Sequence, residues 1–305
     1  VIYGGIAMKS CLFLCSFGSR FTQGLSLKEA VDLAVEYGFN AVEPYPVNEL
    51  STGNLSAAKE FGEYCSKKGV DIPCFSMLGS LEGKDYKDEV ERLKGFVDVA
   101  AAMGARMFHH TLVPSLRHTA EHMPIYKQIL PQLISACEEI CDYAAKYNIT
   151  CVYEDQGFVI NGVRAYEEFY LSLDKPNKGI IADLGNILFV GEKPQDFTGH
   201  FAPFIKHVHV KDYLLKSGNS PFPGNEWYIA ANGDYIRGTV LGHGIVNFVQ
   251  TINVLLRAGY DGYYSIEFDG IEPPEIGIQN GLRNLRYYYE EAVRQVSLSK
   301  ERALL

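Results

Sequence analysis

The segment His207-Val-His-Val-Lys-Asp212 places two imidazoles and an ammonium at alternate positions. In an extended strand, His207, His209 and Lys211 then share one face, with Val208 and Val210 on the other. Such a face is poor core material. Three other apolar runs end in an acid: Cys151-Val-Tyr-Glu154, Ile180-Ile-Ala-Asp183 and Ser265-Ile-Glu267. If the four ends meet, Glu154, Asp183, His209 and Glu267 bring three carboxylates and an imidazole to one point. Carboxylates crowded in this way either take up protons or share a cation. Three oxygen donors with one imidazole suit Mn²⁺, Mg²⁺, Co²⁺ or Zn²⁺ and exclude a thiolate-rich soft-metal site. Each acid alone reads equally well as a salt-bridged strand end; the set of four is what points to a metal.

A divalent cation with two open positions can chelate the carbonyl and adjacent hydroxyl of a hydroxyketone, acidify the C–H between them and stabilise the enediolate. One carboxylate then removes a proton and a second returns it. Return to the opposite face of the same carbon gives epimerisation, and return to the neighbouring carbon gives aldose–ketose isomerisation.

What must position these groups is a repeating pattern of strand, loop, helix, then Gly or Asn. Strands are expected at Cys11–Cys15, Ala41–Pro44, Asp71–Ser76, Arg106–His110, Ile149–Asp155, Gly179–Asp183, Ile205–Asp212 and Tyr263–Phe268. The first helix opens with the capping box Ser26-Leu-Lys-Glu29 and stops at Gly38. The helix over Tyr86–Met103 carries Val90, Leu93, Val97 and Ala101 at three- and four-residue spacing. A last helix covers Glu275–Val296. The strands are near-continuous apolar runs, the mark of parallel strands covered on both faces. Eight such units fit a (β/α)8 TIM barrel, which takes about 250 residues plus loops. An open doubly wound sheet is the rival, but no GxGxxG follows the first strand. With no break in composition, residues 8–305 read as a single domain. A long excursion, Tyr213–Gly244, is rich in Gly, Asn, Pro and aromatics. Barrels gather their chemistry at the C-terminal strand ends, where all four groups of the quartet fall.

The 305 residues carry 37 acidic against 28 Lys plus Arg side chains, a formal net charge of −9. That disfavours nucleic acid and anionic membranes as partners, since phosphate binding draws on clustered cations. Seven scattered cysteines without a CxxC read as reduced thiols in the cytoplasm. No apolar run approaches the ~18–20 residues of a membrane span. Residues 1–7 precede Met8 and read as a remnant ahead of the natural start.

The quartet together with His209-Val-Lys-Asp212 resembles the xylose isomerase-like barrels, and more closely their sugar (phosphate) isomerase/epimerase branch. That branch includes ketose 3-epimerases, hydroxypyruvate isomerase and inosose dehydratase, with endonuclease IV more distant. The resemblance runs from the first strand to the last helix. It implies one divalent cation, Mn²⁺ foremost, held by Glu154, Asp183, His209 and Glu267. It also implies that Glu154 and Glu267 act as acid and base on a sugar or sugar derivative. An inosose dehydratase-like lyase is the rival chemistry, and a non-catalytic sugar-binding barrel the rival class; a homo-oligomer is compatible with either. Endonuclease IV-like barrels carry further metal-binding histidines. Here Asn186 stands at the matching position, the third strand supplies no histidine, and a DNA-repair activity is disfavoured.

Further groups are expected around the substrate. Lys211 can hold charge on the enediolate or on a substrate carboxylate or phosphate, or pair with Glu154 or Asp183. Asn186 stands where ketose 3-epimerases have a substrate-binding histidine. Of His109 and His110, alternation lets one face the barrel, and the family's Phe-His pattern favours His109. Glu43 could reach a substrate hydroxyl or orient a neighbour. Arg237 could clamp an anionic group, and His243 falls in Gly242-His243-Gly244, where many relatives have Gly-Glu-Gly. His207 reads as a hydrogen-bonded core histidine and Asp212 as a support for the loop. Phe17 and Trp227 are candidate apolar walls; His118, His122 and His200 read as surface.

Overall fold

The structure is a computed structural model describing residues 7–114 and 122–303. The expectations for residues 1–6, for His118 and for the His122 side chain lie outside what it describes. Strands β1 (Lys9–Phe13), β2 (Ala41–Glu43), β3 (Cys74–Met77), β4 (Met107–His110), β5 (Thr150–Glu154), β6 (Lys178–Asp183) and β7 (Ile205–Val210) precede an excursion of three short strands. These are β8 (Asp212–Lys216), β9 (Tyr228–Ile229) and β10 (Tyr235–Thr239), and β11 (Tyr263–Ile266) follows. The eight-stranded sheet runs β2-β1-β11-β7-β6-β5-β4-β3, every ladder parallel. Between β2 and β3 the ladder shrinks to an Ala41–Asp71 bridge and a few backbone bonds. Pro73, which has no N–H to donate, delays the start of β3. The result is a nearly closed (β/α)8 barrel in one domain.

Helices α1 (Gly18–Phe21), α2 (Leu27–Tyr37), α3 (Leu55–Lys68), α4 (Tyr86–Met103), α5 (His122–Ala145), α6 (Val163–Ser172), α7 (Pro194–Phe201), α8 (Phe248–Arg257) and α9 (Pro274–Ala303) wrap the sheet. The capping box of α2 forms as expected: Ser26 Oγ accepts from Glu29 N at 3.2 Å while Ser26 N donates back to Glu29 at 2.8 Å. Gly38 then stops the helix at φ +90°, a conformation that a side chain would strain. Buried Val208 and Val210 join the large apolar core that includes residues of these helices.

Further details depart from the sequence reading. The first strand begins at Lys9, and Leu14–Phe17 tighten into a 3₁₀ turn followed by the four-residue α1. The seventh strand ends at Val210, with Lys211 between β7 and β8. The excursion, to which no strands were assigned, folds as an antiparallel sheet ordered β8-β10-β9.

Candidate active site

Alternation and register build the site in layers. Val152, Ile181, His207 and Ser265 each sit two residues before Glu154, Asp183, His209 and Glu267, so the two sets share the inward face. Val152 and Ile181 pack with Cys74 and Met107 as an apolar cluster. Asp183 is level with His209 on β7, and Ser265 is level with it on β11. Glu267 therefore lies just past its strand, its N–H held by Val210 O at 3.1 Å.

The quartet converges. Glu154, Asp183, His209 and Glu267 each offer a ligand atom, and these atoms lie within 4.8 Å of one another. His209 Nδ1 is 2.7 Å from Glu154 Oε1 and 3.4 Å from Glu267 Oε2. Asp183 Oδ1 accepts from the backbone N–H groups of Gly185 and Asn186, both at 2.7 Å, while its Oδ2 is buried without a hydrogen-bond partner. Lys211 reaches in from the rim, its Nζ 2.7 Å from Glu267 Oε1 and 3.5 Å from Asp183 Oδ2. Of its two expected partners Asp183 is present, and Glu267 takes the place of Glu154.

Burial and charge split the acids. Burial works against ionisation of Glu154, but His209, with smaller contributions from His109 and Lys211, outweighs it and holds the carboxyl at about 2. Burial wins at Asp183 and Glu267, raised to about 6 and about 7 against the pull of Lys211. Burial disfavours a charged His209, yet Glu43 and Glu154 raise it well above its ordinary value.

Other expected residues fall in different places. His109 is buried, its Nε2 3.8 Å from Glu154 Oε2 and its ring edge-on to His209; neither ring nitrogen has a hydrogen-bond partner. His110 turns away to Tyr153 and the Thr111 carbonyl. Asn186 Oδ1 accepts from Lys211 at 3.3 Å, and its buried Nδ2 has no partner. The guanidinium of Arg237 lies 5.2 Å over the Trp227 ring in the excursion, and His243 is exposed. Phe17 is fully buried in the core. His207 is a buried, hydrogen-bonded residue.

Glu43 was expected to reach a substrate hydroxyl or to orient a neighbour; it is fully buried, and both oxygens are taken by Ser76, Ser265, His207 and His209. A carboxylate has about four acceptor sites, so none is left for a ligand. Sequence reasoning also missed Phe13, whose ring lies 5.2 Å from that of His209, together with Ser76 and Ser265. Ser265 had a signal, two residues before Glu267 on the same face; Phe13 and Ser76 had none beyond their strand positions.

Asp212 gathers the loop. Its carboxylate accepts from the N–H groups of Tyr213, Gly242, Gly244 and Val246 at 2.8–3.1 Å. No helix among the described residues is long and apolar enough to cross a membrane. The seven cysteines are free.

Comparison with known proteins agrees with this architecture. An inosose dehydratase from Geobacillus thermodenitrificans is 22% identical over 210 residues, 66% of this chain and 70% of that protein. Among solved structures, the fold matches the IOLI protein with a bound zinc atom at a TM-score of 0.73, 15% identity, and coverage of 93% of this chain and 99% of that one. It also matches L-ribulose 3-epimerase at a TM-score of 0.73, 13% identity, and coverage of 96% and 98%. The sequence profile of the xylose isomerase-like TIM barrels matches residues 31–288, and the chain belongs to that family.

Proposed function

We propose that this protein is a metal-dependent isomerase or epimerase of a sugar or sugar derivative, working by proton transfer at a carbon beside a ketone. The observation that carries this reading is the pairing of Glu154 with Glu267. Both reach the same nitrogen of His209, yet one is held at about 2 and the other raised to about 7. Two neighbouring carboxyls with separated proton affinities are the raw material of a base and an acid.

The residues fit a divalent cation. Asp183 Oδ2 is buried without a hydrogen-bond partner, and three hard oxygen donors stand with one imidazole. Glu154, Asp183, His209 and Glu267 would hold the ion, with Mn²⁺ favoured and Mg²⁺, Co²⁺ or Zn²⁺ compatible. When bound, it supplies Lewis-acid stabilisation of negative charge on the substrate's oxygens. Glu154 takes the α-proton, and Glu267 returns one. Lys211 and Asn186 meet the substrate's polar groups at the rim, His109 meets it at the wall, and Arg237 and His243 approach from the excursion. The free thiols favour a cytoplasmic setting.

A second reading is favoured by the similarity to inosose dehydratase: after the same proton abstraction, Glu267 could protonate a departing β-hydroxyl. Incubation with Mn²⁺ and a panel of ketoses and keto-cyclitols in D₂O tests both. Deuterium uptake at the α-carbon with an unchanged molecular formula is expected. Loss of one water would establish the lyase. Metal-independent binding without exchange would leave a sugar-binding barrel.

A further inference from the structure

We infer that Glu43 is a positioning residue for the metal centre: it holds the proton of His209 on Nε2 and so presents Nδ1 as the ligand atom. This rests on the proposed metal site. Glu43 extends from β2 into the barrel, and four side chains from three other strands close on it. His209 Nε2 and His207 Nε2 each lie 2.9 Å from one of its oxygens. Ser265 Oγ donates at 2.6 Å, and Ser76 Oγ donates to the remaining acceptor position. Both hydroxyls and both rings approach an acceptor-only group, so each ring must turn an N–H toward it.

The other nitrogen of His209 faces the three acids of the quartet. Phe13 flanks the ring at 5.2 Å and His109 meets it edge-on, which limits its rotation. A carboxylate behind a ligating imidazole fixes its tautomer and increases its basicity, and losing such a partner costs about 10- to 100-fold in metal affinity. Glutamine at position 43 has nearly the same shape but only one acceptor oxygen. It can serve one histidine while its NH₂ confronts the other.

The experiment is chelator competition with Mn²⁺ and Zn²⁺ on the wild type, Glu43→Gln and Ser265→Ala. The expected result is a dissociation constant raised about 10- to 100-fold in Glu43→Gln and within a few-fold of wild type in Ser265→Ala, which removes a donor to Glu43 that His209 does not use. Equal affinity in the wild type and Glu43→Gln would overturn the inference while leaving the metal site standing. Failure of the wild type to bind either ion would overturn both. Should Glu43→Gln not fold, the Zn²⁺-loaded wild type labelled with ¹⁵N-histidine decides: a proton on Nε2 of His209 is expected, and a proton on Nδ1 overturns the proposal.

Discussion

Lys211 Nζ lies 2.7 Å from Glu267 Oε1, with Asp183 Oδ2 at 3.5 Å on its other side. The ammonium pulls both carboxyls down while burial pushes them up. Lys211→Met removes that pull. The falling limb of the pH–rate profile, which reports loss of the Glu267 proton, should move to higher pH by on the order of one unit, with the fold intact. An unmoved limb would mean that Lys211 does not govern Glu267.

Metal binding should itself depend on pH. Glu267 and Asp183 keep protons up to about 7 and about 6, and His209 above its ordinary range. A cation must displace these protons, so affinity rises with pH. Between pH 5.5 and 8, Mn²⁺ affinity measured by calorimetry should increase roughly 100-fold, with proton release. Asp183→Ala and His209→Ala should each lose stoichiometric metal while circular dichroism reports an intact barrel.

The two strand-end glutamates should also be required for the proton transfer itself. Glu154→Gln and Glu267→Gln are each expected to abolish exchange of the substrate's α-proton with D₂O, a loss of at least about 100-fold. Exchange at the native rate in both variants would remove their acid and base roles.

His110 offers a test of stability away from the catalytic carboxylates. Burial lowers it to about 4, and its Nε2 has no hydrogen-bond partner. The unfolded chain takes up this proton near 6.5 and the folded one only near 4. The resulting stabilisation is complete above 6.5 and is lost as pH falls through that window, on the order of 3 kcal/mol. His110→Phe should flatten the acid limb of urea stability between pH 6.5 and 4.

The sequence made the barrel legible because its strands are buried on both faces and its helices are punctuated by caps and glycines. The quartet was legible because four strand ends carried chemistry that a core does not use. Which of its two expected roles Glu43 takes was not legible, because a strand-end acid looks the same whether it faces solvent or four donors. Those donors come from strands that are distant in sequence: Ser76, Ser265 and the two histidines. The excursion was missed as a sheet because its strands are short and its segments rich in turn residues. His209's aromatic neighbour Phe13 carries no polar signal at all.

Asp212 invites a stability measurement. Its replacement by alanine strips the acceptor from four backbone N–H groups. A loss on the order of 3 kcal/mol is expected, and a smaller one for Asp212→Asn, which keeps one carbonyl oxygen. Gly244→Ala should act in the same direction, because a Cβ there collides with the Asp212 carboxylate and the Tyr213 carbonyl.

Through the same carboxylate, the first and last residues of the excursion are stapled at a single point. The residues between Tyr213 and Gly244 thus leave and return through one carboxylate, three residues past His209 on the same chain, and the small antiparallel sheet is tethered at the strand end that carries that histidine.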